Sequence, residues 1–286
     1  MKLLNLGCGN RFHSFWTNVD FVSNNKNVIA HNLLRGIPFA DNLFDVVYHS
    51  HVLEHFSKAD GELFLNECYR VLKPAGIIRV AVPDLEQIAI EYLKNLDLAI
   101  QGDSTAVENY DWIVLELYDQ TVRNESGGEM AKYICKKNII NEDYLYSRIG
   151  EEGRSLRNWY LQNQNEIHLS KVEGTSKNDF IENETRETGL GKIVTWIKKY
   201  LFRDEINRFK KLDSEVAIGK FRLGGEIHQW MYDRYSLSKS LIIAGFINVE
   251  VKDTFSSNMA NWNAYELESK NGIVYKPDSL FLEARK

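Results

Sequence analysis

The stretch LNLGCGNRFHSFWTNVD, Leu4 to Asp20, decides how the rest of the chain is read. A short apolar run enters Gly7-x-Gly9, and a second short run, Asn18-Val19, ends in an acid. A strand running into Gly-x-Gly permits a tight turn and lets bare backbone approach a ligand. An acid at the end of the next strand can accept hydrogen bonds from both hydroxyls of a ribose. The order strand, glycine turn, strand, terminal acid therefore points to a ligand that contains a nucleoside. A dinucleotide fingerprint wants a third glycine for helix packing, but Phe12 stands there. Asp20 also follows too soon after Gly9 for a full helical crossover, which argues against a pyrophosphate at a helix N-terminus. A smaller, phosphate-free nucleoside fits better.

Outward from this stretch the pattern repeats. Strands are expected at Lys2–Leu6, Asn18–Val22, Asn27–Ala30, Phe44–Tyr48 and Ile77–Val82. Ser57 opens a helix with Asp60 near capping-box spacing, and Lys73-Pro74-Ala75-Gly76 stops it. Strand and crossover alternate, and the apolar runs lack a clean polar face, so a parallel α/β sheet covered on both faces is predicted. Residues 86–122 read as helical, 123–180 as polar, and 190–202 as an amphipathic helix packed on its own domain. A helix over SLSKSLIIAGF, ending at Gly245, and strands at Ile247–Val251 and Ser279–Arg285 close the pattern as a late antiparallel pair. The domain reading is a core of residues 1–95 and 226–286, interrupted by a largely helical insertion, 96–225, expected to cover the cleft.

Composition narrows the setting. The 286 residues carry a formal net charge of -5, which gives no general pull toward nucleic acid. Three cysteines without C-x-x-C argue against a disulfide framework or a zinc ribbon. The N-terminus shows no signal pattern and no run spans a membrane, so a cytoplasmic protein without stable membrane insertion is expected.

LNLGCG, NVD, FDVVYHSHVLEHF and ECYRVLKPAGIIRVAVPD, in that order, resemble a class I S-adenosylmethionine-dependent methyltransferase of type 11. The resemblance implies a Rossmann-like seven-stranded sheet of order 3-2-1-4-5-7-6 with strand 7 antiparallel. It implies S-adenosyl-L-methionine as cofactor, with Leu6, Gly7, Cys8 and Gly9 at its methionine end and Asp20 at the ribose. After the third strand the family often has an acid near the adenine, where this chain has Asn32 and Leu33. GKFRLGGEIHQWMYDRYSL and KPDSLFLEARK resemble a bacterial subgroup associated with surface-polysaccharide and glycan pathways, which implies a small-molecule or glycan acceptor. A homodimer is compatible with the sequence.

Methyl transfer to a hydroxyl needs in-line alignment and a base for the proton. Ligands in open α/β sheets lie beyond the carboxyl ends of the strands. His51, after the fourth strand, is the first candidate base. Asp84, after the fifth, is the second, as base or hydroxyl acceptor, with a helix cap as its other reading. His228, where the insertion rejoins the core, is the third. His49 is expected to line the cofactor, and Glu54 and His55 to be packing residues. His51 and His55 have a spacing that can hold zinc, but the acid stands at 54 rather than 52, so no metal is expected. The expected reaction is O-methylation of a sugar hydroxyl, with N-methylation of an amino-sugar beside it. A nicotinamide-dependent oxidoreductase and a non-catalytic partner-binding protein are the competing readings.

Overall fold

The computed structural model describes residues 1–23, 25–163 and 203–286. The helix expected at 190–202 and the end of the polar stretch lie outside the described residues.

Seven strands form the main sheet: β1 (Leu3–Leu6), β2 (Thr17–Asp20), β3 (Val28–Ala30), β4 (Phe44–Ser50), β5 (Leu72–Pro83), β6 (Ile247–Lys252) and β7 (Ser279–Arg285). Their order is β3-β2-β1-β4-β5-β7-β6. β7 runs antiparallel to both its neighbours, and the remaining pairs are parallel. This is the Rossmann-like order that the resemblance implies. All four residues of β1 and residues 77–83 of β5 are buried, as strands covered on both faces must be. A short hairpin, Ser269–Lys270 with Ile273–Val274, stands apart from the sheet.

Two apolar layers hold the sheet. On one face, α1 (Lys58–Val71) sets Phe64, Leu65, Cys68 and Val71 against Leu4, Val47 and Val80. Each such aliphatic or aromatic side chain contributes about 1.5–3 kcal/mol on full burial. The Ser57 hydroxyl caps α1 by accepting the Asp60 N–H at 3.1 Å and donates to the Asp60 carboxylate at 2.6 Å. On the other face Trp16, Tyr48 and Trp262 meet edge to face.

Among the described residues, α2 (Leu85–Ile100), α3 (Ser104–Val122), α4 (Gly128–Ile134), α5 (Glu142–Gln162), α6 (Arg203–Leu223) and α7 (Arg234–Ile243) lie between β5 and β6. The helical run expected over 86–122 is broken: Gly102 takes φ 88°, and Asp103 caps α3 from outside the first helix. The insertion has its own core of Trp112, Tyr133, Ile134 and Leu145. α5 bends at Gly150, which adopts φ 60°. A Cβ there would lie 2.4 Å from Pro277 Cδ and from the Tyr275 carbonyl oxygen, so only glycine lets α5 cross this segment. The crossing carries Glu152 down to the glycine loop. No helix among the described residues is long and apolar enough to cross a membrane.

Candidate functional site

The parallel strands end in two cavities. The first, about 360 Å³, is walled by Gly7, Gly9, Arg11, Tyr48, Ser50 and Leu267, among others. Gly7 and Gly9 take φ 63° and 51°. A Cβ on Gly7 would strike Val52 Cγ2 at 2.2 Å, whereas one on Gly9 would meet nothing within 4 Å. Gly7 therefore lets the turn close against the fold, and Gly9 leaves bare backbone on open space, a cradle that suits the amino-acid end of a nucleoside cofactor. Asn5 and Asn18, both buried, shape the loop that follows. The Asn5 amide donates to the Arg11 carbonyl at 3.0 Å, and Asn18 donates to those of His13 and Trp16 at 3.1 and 2.9 Å. Asp20 reaches back from the end of β2 and accepts the Gly9 N–H at 2.6 Å. Burial first, and the Asp20 charge second, push the Cys8 thiol up to about 12, so it is no nucleophile.

α5 supplies a wall residue that the sequence reading did not name, Glu152. Arg11 pairs with Glu152 of α5, and Lys276 stands 3.7 Å from the same carboxylate. Burial favours the neutral form of Glu152, but Lys276 and Arg11 outweigh it and hold the group below the usual carboxylate value. The Arg11 guanidinium also lies 4.2 Å from the centre of the Tyr275 ring.

The second cavity, about 370 Å³, opens between the sheet and the insertion, with Arg123, Met130, Ile149 and Asp278 on its wall. His51, Glu152 and Lys276 line both cavities. His51 leaves β4 with φ 54°, which turns its ring out of the strand pleat. Its Nε2 lies 2.8 Å from Ser279 Oγ at the start of β7, and its Nδ1 lies 3.1 Å from a Glu54 oxygen. That last contact is close but out of line, so neither Glu54 oxygen has a donor in good hydrogen-bond geometry. Glu54 is wholly buried in the turn Leu53–His55. Burial raises its carboxyl, but His51, followed by the charges of His228 and His55, outweighs this and lowers it to about 2. His228 sits against His55, with ring centres 4.9 Å apart. Burial lowers the His228 ring to about 3, against the opposing pull of Glu54.

Five of the expected site residues point elsewhere. His49 does not line the cofactor cavity. It is wholly buried with its ring centre 5.0 Å from that of Phe64, and burial lowers it to about 4. The reason is strand parity: Tyr48 and Ser50 face the cavity, so His49 must face α1. The Asp84 side chain caps α2, accepting from the N–H groups of Glu86 and Gln87 at 3.0 and 3.3 Å, which is its structural reading. Asn32 accepts the Leu34 N–H at 3.0 Å, and Leu33 packs on the core and lines a separate hollow with Phe56 and Phe64. Leu6 is a fully buried β1 core residue immediately before the turn. Glu54, expected to be a packing residue, is buried with the imidazoles of His51, His55 and His228 close to it.

No curated protein matches the chain. Among solved structures, a complex containing the Haloferax volcanii Trm112 methyltransferase activator aligns over 31% of this chain and 47% of that one, at 20% identity and TM-score 0.25. The chain thus spans about half the length of that match. A SAM-dependent methyltransferase from Archaeoglobus fulgidus aligns over 100% of this chain and 86% of its own, at 13% identity and TM-score 0.36. An S-adenosylmethionine-dependent methyltransferase from Mesorhizobium loti aligns over 100% and 90%, at 10% identity and TM-score 0.36. In sequence, residues 16–80 match the family described as a methyltransferase domain, and this match implies S-adenosyl-L-methionine as the cofactor.

Proposed function

We propose that the chain O-methylates a hydroxyl of a sugar or other small molecule, in the cytoplasm and in glycan biosynthesis. The cofactor lies in the glycine-loop cavity and the acceptor in the second cavity. The observation that carries this reading is the position of His51, whose side chain lines both spaces. S-adenosyl-L-methionine, when bound, supplies a methyl group activated by its sulfonium. The chain must hold an acceptor oxygen in line with that group, at about 3 Å. His51 would take the hydroxyl proton as that oxygen is methylated. Glu54 stands 3.1 Å from the ring's Nδ1, and the Ser279 hydroxyl, 2.8 Å from Nε2, marks the nitrogen that the acceptor hydroxyl would reach in its place. Buried Arg123 Nε and Asp278 Oδ1, neither with a protein partner and both on residues of the second cavity, suit an acceptor rich in hydroxyls.

Calorimetry with S-adenosylhomocysteine and with NAD separates this from an oxidoreductase. Binding of NAD alone would sink it, and binding of neither would favour a non-catalytic partner-binding protein. Transfer from labelled cofactor to a panel of nucleotide sugars and short glycans identifies the acceptor. His51→Ala should keep S-adenosylhomocysteine affinity and lose turnover by about 10²–10⁴-fold. Full turnover in that variant would remove His51 from the role of base.

A further inference from the structure

We propose that Glu54, His55 and His228 form a binding site for one divalent transition-metal ion on the wall of the second cavity. One oxygen or nitrogen from each residue lies within 4.8 Å of the others. Bonds from these atom types to zinc are about 2.0–2.2 Å, so donors on one ion can stand about 4 Å apart, and modest side-chain rotation closes the gap.

Three observations make this a built site. First, Glu54 Oε2 and His228 Nδ1 are buried without a hydrogen-bond partner, and Glu54 Oε1 has only His51 Nδ1 beside it, at 3.1 Å. A buried carboxylate in that condition is costly unless a cation or donors complete it. Second, the His55 ring is oriented from behind. Its Nδ1 lies 3.2 Å from the Ile227 carbonyl, which fixes Nδ1 as the donor and leaves Nε2 with its lone pair. Ligating imidazoles are commonly held by such an outer bond. Third, the two segments that carry the ligands, 172 residues apart at that bond, are laced together. The Glu54 carbonyl accepts from the N–H groups of Gln229 and Trp230 at 2.7 and 3.2 Å, and the Gln229 amide donates to the His55 carbonyl at 2.9 Å. The His228 N–H is tied to Gln120 of α3 at 2.9 Å.

Two imidazoles and one carboxylate suit zinc and its first-row neighbours and are a poor set for magnesium, which prefers oxygen. Three protein ligands leave coordination open toward the cavity. There the ion could hold an acceptor oxygen beside His51, a role that rests on the methyl-transfer reading, whereas the site itself does not.

The test is calorimetric titration of chelator-stripped protein with zinc chloride near neutral pH, alongside thermal melting with and without zinc. One zinc ion per chain and a raised melting temperature are expected. Glu54→Gln and His228→Gln, each checked for folding by circular dichroism, should weaken binding by at least about tenfold. Absence of zinc binding overturns the site, as does affinity unchanged in either folded variant. If one variant does not fold, the other decides. A separate titration with S-adenosylhomocysteine judges the methyltransferase reading, so the two can fail independently.

Discussion

Two clusters of buried charge lie close to the same sheet and are built on opposite rules. Around Arg79, in the middle of β5, every donor is spent. Its Nε–H donates to Glu268 at 2.9 Å, and one terminal nitrogen serves Glu283 and the Ser256 carbonyl, both at 2.9 Å. The other serves Glu268 at 2.5 Å and the Asp253 carbonyl at 2.9 Å. Glu283 also accepts the Asn258 N–H at 2.7 Å, and the guanidinium lies 4.6 Å from the Trp262 ring centre. Around Glu54, beyond the end of β4, the carboxylate and the facing His228 nitrogen have no in-geometry protein partner. A filled network fixes structure, while an unfilled one beside a cavity marks a place for something the chain does not itself contain.

The largest effect that separates the clusters is on stability. Arg79→Met strands two carboxylates in the core and should cost about 3–5 kcal/mol in denaturant unfolding. Glu54→Gln removes a carboxylate that His51 and the nearby imidazoles hold down at about 2, so it too should cost stability near neutral pH, but less, at most about 3 kcal/mol. Equal losses in the two variants would mean that the Glu54 cluster is as much a part of the fold as the Arg79 network.

Asp20 stands between these extremes, because its carboxylate already accepts the Gly9 N–H at 2.6 Å, while the family resemblance implies a second role for it at the cofactor ribose. Asp20→Ala should weaken S-adenosylhomocysteine binding by about 10- to 100-fold, the range of hydrogen bonds to a charged group, with only a small loss of stability. Measured by calorimetry and melting together, a fall in stability with affinity intact would assign Asp20 to the fold alone.

Asp20 also shows which part of the site can be read along the chain. It lies in one continuous stretch with Gly7 and Gly9; the strands themselves follow from local apolar runs and turns, whereas their order follows from the family resemblance. Parity along β4 was present in the sequence too, and it would have sent His49 to the core side. The rest depends on distance. Glu152 meets Arg11 across 141 residues only because α5 bends at Gly150. His228 meets Glu54 and His55 only because the return from the insertion is hydrogen-bonded to the turn after β4. No local spacing encodes either meeting, so HVLEH by itself shows two of the proposed ligands and hides the third.

The smallest effect lies within the filled network, which holds two carboxylates to one guanidinium. Burial dominates at Glu268; the Arg79 charge opposes it and the Glu283 charge adds to it, and the group is raised from 4.5 to about 7. Burial first, and the Glu268 charge second, raise the neighbouring Tyr48 hydroxyl far above its ordinary value against the opposing Arg79 charge, so Tyr48 stays neutral throughout. Below 4.5 the folded and unfolded chains both hold the Glu268 proton, and its contribution to stability is fully present. Between 4.5 and about 7 the folded chain keeps the proton and the unfolded chain has lost it, so stability falls as pH rises. Between about pH 6 and 8 the Glu268 part of that fall is about 1 kcal/mol. Glu268→Gln, which stays neutral at every pH, should flatten the slope of melting temperature against pH in this window while leaving S-adenosylhomocysteine binding alone. Parallel slopes for the two proteins would assign the pH dependence to another group and leave Glu268 ionised beside Arg79.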